Sequence, residues 1–560
     1  MLHTHERPDS LLLAAEHADD IPLLIAHLWR LGIPQALDAH IPRHAYWSNL
    51  SIGATAAIWL AHMLSQGDHK VRSIQSWVAA RPETLRWCIG SEVTPVDVAE
   101  DRLYEVLAGL SHDEYWRAIE LELNHRMLQN CKLAAERIRL TTHDGGSWHI
   151  SPDGLFQVGQ ARSWRSGMVR AYVALATLDP HGVPLFVRGT ASSGRSQVQL
   201  AELINYMRQA LPAQRLCFVG DTCATVESRG AIHAHNNWYL CPLFDEPLPF
   251  HLLPGGDPGD EIEHLSPGAP AGSRQADPPA AGVEWHAPMQ CELDGTLVEW
   301  HERRILVRSP GQARVSEEAL RGRMARARLA LIALGERRRG KQRPRTLAAM
   351  REAAEAIIDS YQVRGLLQLE FAEHVEERTV RRYRGRPTAV RVERDVRINV
   401  SASDDAWRQA VYRLGWQLFG TNVPAEALPL SQALSVAGEP ERGFDRLNGR
   451  PLSLTPANLR QGDLAIGLVR LLSLGLRALS LLETIARRRL HEEGLLASQS
   501  PATGRLNAHT TSERLLDTFR DILLTCGDDR APYTITPLSM LQQRVLSLVA
   551  LPAAIYQFDA

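Results

Sequence analysis

Leu216-Cys-Phe-Val-Gly-Asp221 is the stretch on which the fold turns. A short apolar run gives way to a glycine and then to a carboxylate, so a buried strand ends and the backbone meets solvent where the acid stands. Open α/β sheets take their ligands at that point, outside the carboxyl ends of the strands. Working outward, β-branched and aromatic runs at 171–178 and 184–188 precede it. Between them and the run opening at Arg215 lies an amphipathic stretch, 197–211, with Leu200, Leu203, Ile204 and Met207 on one helical face. Strand, strand, helix, strand predicts a mixed sheet with helices packed on it, the core of an α/β protein.

The rest of the 560 residues is too long for one core, and units of about 150 residues are expected. Apolar residues at three- and four-residue steps from Ile21 onward predict a helical N-terminal domain over residues 1–134. Residues 135–250 form the first half of the core. A Pro/Gly-rich linker, 251–290, follows it. Residues 291–410 read as an inserted basic α+β domain, with strand-like runs at 365–371 and 389–394 and a basic helical stretch at 317–355. Residues 411–560 supply the second half of the core and a helical C-terminal part, with helices expected at 466–490, 511–525 and 537–551.

Composition excludes several classes. With 44% hydrophobic and 22% charged residues the chain is globular. Its most apolar segment, 464–482, is interrupted by Arg470 and Arg477, which favours a buried helix over a membrane span. The start shows no export signal, and the seven cysteines are scattered without a C-x-x-C pair, so a cytoplasmic protein with reduced thiols is expected. There is no G-x-S-x-G elbow and no P-loop. The net charge of −2 gives nucleic-acid binding no global support, so any such function rests on local clusters.

Three carboxylates stand where they could converge. Asp221 ends its strand; Asp144 lies in Thr141-Thr-His-Asp-Gly-Gly146, after a β-prone start at 137–142; Glu441 lies in Gly438-Glu-Pro-Glu-Arg-Gly, where Pro440 fits the first turn of a helix. Hard cations such as Mg²⁺ or Mn²⁺ want carboxylate oxygens. A pair of them about 3.5–4 Å apart activates an attacking oxygen and stabilises a leaving one in phosphoryl transfer. Among 64 acidic residues such positions also arise as ordinary solvated acids. Beside Glu441, Arg442 and Arg446 share a helical face and with Arg450 could meet DNA phosphates. Arg337, Arg338, Arg339 and Lys341 belong to the densest basic run, which reads equally as a phosphate-binding surface or as a solvated helix face balanced by Glu317, Glu318 and Glu336.

Several longer stretches resemble the large DDE insertion-sequence transposases of bacteria that carry an insertion ahead of the catalytic glutamate. They are Leu64-Ser-Gln-Gly-Asp-His-Lys70, Gly154-Leu-Phe-Gln-Val-Gly159, Leu178-Asp-Pro-His-Gly-Val-Pro-Leu185, Phe218-Val-Gly-Asp221, Tyr239-Leu-Cys-Pro-Leu243, Gly415-Trp-Gln-Leu-Phe-Gly-Thr-Asn422, 441–452 and 536–542. The resemblance implies a ribonuclease-H-like core and cut-and-paste movement of a DNA element with Mg²⁺. It also implies double-stranded DNA partners, namely terminal repeats and target, and a homodimer acting on two ends. Asp221 matches the family's second aspartate and Glu441 its glutamate. The first aspartate is expected nearer Leu140 or Thr141, so Asp144 is either a shifted replacement or a bystander. Framework positions match better than polar ones: Asn448 stands where a lysine is expected, and the tyrosine and arginine pair before the glutamate is absent. A catalytically inactive, DNA-binding descendant is therefore the alternative.

Overall fold

The computed structural model describes residues 14–42, 49–68, 71–131, 133, 137–150, 156–159, 169–190, 197–211, 215–244, 246–249, 263–265, 280–336, 344, 346–380, 389–438, 443, 446–447, 451–452, 463–493, 510–526 and 533–558. A strand β1 (Ala14–His17) leads into helices α1 (Ile21–Arg30), α2 (Ile33–His40), α3 (Ile52–Gln66), α4 (Val71–Ala79), α5 (Pro82–Ile89), α6 (Glu100–Ser111) and α7 (Asp113–Cys131). The large sheet then begins with β2 (Arg137–Ile150), β3 (Phe156–Gly159), β4 (Val169–Leu178) and β5 (Val183–Thr190), and continues after α8 (Gln197–Ala210) with β6 (Cys217–Val219), α9 (Val226–Ala234) and β7 (Trp238–Pro242). Further along come β8 (Glu263–Leu265), β9 (Ala280–Leu293) and β10 (Thr296–Arg308).

The large sheet has the order β5-β4-β2-β6-β7, extended beyond β7 by β13 (Trp416–Thr421), β10, β9 and β8, with β3 paired to β2. β5, β4 and β2 are antiparallel, whereas β6 and β7 run parallel to β2 and to each other. Side chains alternate between two cores, as the two-residue period of a strand requires. Phe218, Tyr239, Leu306 and Leu418 face one layer with Leu203, Ile204 and Met207 of α8; Val219, Leu240, Ile305 and Phe419 face the other with Ala433 and Val436 of α13 (Leu430–Gly438). The sheet is thus covered on both faces, and the molecule is a mixed α/β structure.

Between β10 and β13 the chain makes an excursion through α10 (Pro310–Gly335), α11 (Leu347–Tyr361), the hairpin β11 (Leu367–Val380) and β12 (Ala389–Ala402), and α12 (Asp404–Tyr412). Its entrance and exit are hydrogen-bonded neighbours, Arg308 opposite Trp416 and the Ser309 N–H donating to the Gly415 carbonyl at 2.9 Å. Gly415 has φ +80°, and a Cβ there would lie 2.7 Å from the Ala313 methyl, so glycine is needed at the closing point. The excursion has its own core of Leu320, Ala327, Leu331, Ala354, Ile358 and Val400. The unit therefore spans 309–415. Residues 280–308, read from sequence partly as linker and partly as insertion, are the hairpin β9–β10, which joins the large sheet because β10 pairs with β13 more than a hundred residues on.

The C-terminal stretch holds α14 (Asp463–Glu492), α15 (Ser512–Asp517), β14 (Leu523–Cys526), β15 (Thr534–Ile535) and α16 (Met540–Leu548). The helix expected over 511–525 stops after α15, because Leu523-Leu-Thr-Cys526 pairs antiparallel with β1, a long-range contact that local periodicity does not reveal. Helices of the N-terminal 134 residues share one core with this stretch, from Ala18, Leu60 and Leu107 to Leu472, Leu479 and Val545. α14 runs through it. Two of its arginines lie in the core: Arg470 donates to the carbonyls of Leu110 (2.8 Å) and Ser111 (3.0 Å), and Arg477 to Asn124 Oδ1 and the Pro184 carbonyl, both at 2.7 Å. Among the described residues no helix is long and apolar enough to cross a membrane.

One contact of α14 makes stability depend on pH. The fully buried His27 donates from Nε2 to the Ala478 carbonyl (2.9 Å), while Arg30 donates to its Nδ1 (2.7 Å), which sets the neutral ring. Burial, aided by Arg30, pushes its pKa down from 6.5 to about 3, and burial lowers that of His62 to about 4. A base depressed on folding is protonated first in the unfolded chain, so its contribution is intact above pH 6.5 and is lost as pH falls toward 3. Asp20, pushed up by burial to about 6, has the opposite sign: its contribution is intact below 3.8 and lost as pH rises through 6. Burial also lowers His181 and His233 and raises Glu120, so among the described residues four histidines stand against two acids, and the unfolding free energy measured in urea should fall from about pH 6.5 to about 4.5. In His27→Gln the slope should be shallower by about 1 kcal/mol per pH unit.

Candidate active site

The parallel pair β2 and β6 places Asp221. Arg139 lies opposite Val219, the last residue of β6, and Thr141, two residues on in β2, lines one cleft with Asp221. Between them Gly220, at φ +135°, sits against the backbone of β2, where a Cβ would be 2.0 Å from the Leu140 carbonyl oxygen. Its N–H donates to Leu240 in β7 at 3.2 Å. Only glycine lets the chain pass here before Asp221 opens a short 3₁₀ turn, Asp221–Cys223, closed by the Ala224 N–H on the Asp221 carbonyl (2.9 Å). Asp221 is exposed at the carboxyl end of its strand, with the Thr222 hydroxyl 3.4 Å from Oδ1. Among the described residues no arginine or lysine forms an ion pair with it.

Asp221 lines a cleft of about 250 Å³ whose walls include Arg139, Thr141, Pro242, Phe244 and Gln417. Arg139 is held away from the carboxylate: its Nε donates to Asp179 Oδ1 at 3.0 Å and an Nη to the Val436 carbonyl at 2.8 Å. That second bond anchors the end of α13, with Val436 packed against Val219 and Leu240, close to the strands that carry Asp221. Phe244 follows β7 on a turn fixed at both sides. The Leu243 N–H donates to Leu418 (2.8 Å), and the Glu246 carboxylate is bound by Arg304 and by Arg229 (3.3 Å). Arg229 in turn rests on the fully buried Glu302 at 3.1 Å, which also accepts from the Tyr239 hydroxyl at 2.6 Å.

Of the acids named from sequence, Asp144 lies within β2 opposite Tyr172, where the ladder to β4 then bulges before Ser147. It stands three residues beyond Thr141, on the order of 10 Å farther along the strand. The β2 residue against Gly220 is Leu140, and the one that shares the cleft with Asp221 is Thr141; neither is an acid. Glu441, Arg442, Arg450, Arg337, Arg338, Arg339 and Lys341 lie outside the described residues. Arg446 is half-buried and engaged by Glu483 and, at 3.5 Å, Glu513, so it braces α14 instead of facing outward toward a phosphate. Arg321, Arg326 and Arg328 are exposed on α10.

A hard cation is implied by the resemblance. The described residues fit it in part: one exposed carboxylate and a threonine hydroxyl line an open cleft, while among the described residues no three acidic, histidine or cysteine side chains cluster as a full ligand set. Sequence reasoning missed Arg139 and Phe244. Arg139 sits in a run read only as β-prone, and Phe244 falls past the end of an apolar strand with nothing local to mark it.

No family model matches the chain, and no curated protein matches it. Among solved structures it is similar to the piggyBac transposase synaptic complex with hairpin DNA, at 8% identity and a TM-score of 0.23, over 51% of this chain and 57% of that one. The chain thus spans little more than half the length of that protein. A likeness of this size decides neither fold nor chemistry.

The close packing at Gly220 gives a direct check. In Gly220→Ala the new methyl meets the Leu140 carbonyl, so β2 and β6 must part or the turn must shift. Urea unfolding should show a loss of about 1–3 kcal/mol.

Proposed function

We propose that the chain is a DDE-type transposase that cuts and joins the ends of a DNA element, with a ribonuclease-H-like core. The observation that carries this reading is the position of Asp221, exposed at the carboxyl end of β6 and beside β2, the strand at which the sheet passes from antiparallel to parallel pairing. The strand order β5-β4-β2-β6-β7 supports it. So does chain reach: Glu441 follows the anchored Val436 by five residues, at most roughly 18 Å of extended chain.

In this reading Asp221, Glu441 and Asp144 would hold Mg²⁺ or Mn²⁺. When bound, the ions supply charge stabilisation for the phosphoryl group in flight. Asp221, free of a cationic partner among the described residues, keeps its oxygens available; Thr141 offers a hydroxyl on the same cleft; Arg139 fixes the end of α13. Water attacks the phosphorus in line, forming one P–O bond as the bond to the 3′ oxygen breaks. The freed 3′-hydroxyl then attacks a target phosphodiester with loss of a new 3′-hydroxyl. Exposed arginines of α10 and the basic run that follows it would bind phosphates of the terminal repeats and target, and two copies would serve two ends.

A second reading, a catalytically inactive DNA-binding descendant, is favoured by Leu140 and Thr141 standing where an acid beside Asp221 is expected and by Asp144 standing three residues away. Cleavage of DNA carrying the flanking terminal repeats, with Mg²⁺ or Mn²⁺, separates the two. An active transposase should cut and join, and Asp221→Ala and Glu441→Ala should each lose at least about 100-fold, some 2.7 kcal/mol of transition-state stabilisation. Equal loss in Asp144→Ala would make it the third ligand. End binding without any cutting by the natural protein would leave the second reading.

A further inference from the structure

Arg477, Leu481, Ile485 and Arg488 follow one another at helical spacing on one face of α14, and Arg126 and Asn130 share a face of α7. With Arg30 at the end of α1, these faces line a cavity of about 190 Å³ that has no lining residue in common with the cleft at Asp221. Five arginines line it, Arg30, Arg126, Arg477, Arg488 and Arg489, and among the described residues no aspartate or glutamate does. Two of the five have a carboxylate at hand: Arg126 pairs with Glu122 at 2.6 Å, and Arg488 reaches Glu492 at 3.8 Å. Arg30, Arg477 and Arg489 form no ion pair among the described residues. They donate to neutral groups instead: Arg30 to His27 and the Val549 and Ala550 carbonyls, Arg489 to the Ser547 carbonyl, Arg477 to Asn124 and the Pro184 carbonyl.

Part of this arrangement is helix capping. Arg488 donates to the Cys131 carbonyl at the end of α7, and Arg30 and Arg489 donate to carbonyls at the end of α16. A helix end carries only about half a negative charge, so two of them leave most of three positive charges unbalanced. Capping does not account for Arg477, which sits in the middle of α14, is 4% exposed and has its Nη1 buried without a hydrogen-bond partner. Burial holds Arg30 and Arg477 below the usual guanidinium range, and the charge of Arg489 adds to this at Arg30. Cys131 also lines the cavity. Burial pushes its thiol up while Arg30, Arg488 and Arg477 all pull it down, so these three charges converge on one place. Clustered like charges and an unmet buried donor are both relieved by an oxyanion, and a guanidinium fork matches phosphate oxygens two at a time. At roughly 30 Å³ per water the cavity has the volume of about six waters, enough for one or two phosphate groups and too small for a stretch of duplex. We infer that this cavity binds a free phosphate or diphosphate, held by Arg30, Arg477 and Arg489. Bound there, the anion ties the first helices of the chain to the last.

The test is titration calorimetry of the full chain without divalent cations, using sodium phosphate and sodium pyrophosphate in chloride buffer of matched ionic strength. One of the two should bind saturably at one site per chain and raise the melting temperature as its concentration rises. Arg489→Gln should weaken that binding roughly 10- to 150-fold, the range of a hydrogen bond to a charged group. Asn130→Asp guards against a variant that merely misfolds: it places a carboxylate on the lining, at an exposed position, with almost no change of shape. An acid near a helix C-terminus ordinarily destabilises. Here it should raise the melting temperature of the anion-free protein, because it balances the arginines, and weaken anion binding at the same time. A lower melting temperature in Asn130→Asp would mean that the arginines are already balanced and would overturn the site. So would no saturable binding of either anion, or binding unchanged in both variants. A short DNA duplex should not displace the anion; displacement would overturn the free ligand in favour of a backbone phosphate. No outcome depends on DNA cleavage.

Discussion

A guanidinium taken into an apolar interior must be met by acceptors, because an unpaired buried charge costs several kcal/mol. Arg477, in the middle of α14, imposes that requirement on three parts of the chain at once. It draws Asn124 of α7 and the Pro184 carbonyl at the start of β5 to one point, and Asn124 itself donates to the Leu185 carbonyl (2.8 Å) and to Tyr206 of α8 (3.0 Å). Arg470, two turns earlier, does the same for the end of α6. The helix that packs the N-terminal and C-terminal helices together is thereby locked to the edge of the sheet that holds the site. Nonpolar packing alone would let α14 slide or rotate; directional bonds to fixed carbonyls set its register.

The insertion is positioned by a different device. Because it leaves and re-enters through adjacent, hydrogen-bonded strands, a unit with its own core can be added without displacing the sheet. Its presence has a consequence at the site. β13 is the strand after the insertion, yet it lies between β7 and β10 and supplies Gln417 and Phe419 to the cleft beside Asp221. The site is thus assembled from chain on both sides of the insertion, and on the side before it the buried Arg229–Glu302 pair ties α9 to β10.

What could be read from the sequence follows from the range of the forces involved. The strands at 171–178 and 184–188, α8, and the strand that ends before Asp221 each carry their signal within a few residues, and the structure has them at nearly those bounds. Arg470 and Arg477 likewise mark α14 as a buried helix, since charges at that spacing are intolerable in lipid and tolerable beside carbonyls. β14 and β9 were not legible, because β14 is made by a partner hundreds of residues away and β9 directly continues a stretch rich in glycine and proline that masks its start. At the site, Asp221 was legible from its place after an apolar run and a glycine. The roles of Arg139 and Phe244 were not, since they depend on Asp179, Val436 and Glu246, which no local motif connects to them.

The contact between Gly220 and Leu140 also bears on why the acids are not all where a phosphoryl-transfer site would want them. The spacing of β2 and β6 is set by a missing side chain and by backbone hydrogen bonds, and neither depends on the residue at 140 or 141. Leu140 packs in the core below α8, so an apolar residue there adds to stability where an aspartate would cost it. The sheet therefore holds Asp221 at its strand end with leucine and threonine, and no acid, at the neighbouring positions of β2. Selection for folding alone keeps the glycine and the apolar face; only selection for chemistry would keep a second carboxylate. In this chain the features needed for packing are complete around Asp221: a glycine that lets the turn pass against β2, an apolar residue beneath α8, and a carboxylate left open at the strand end.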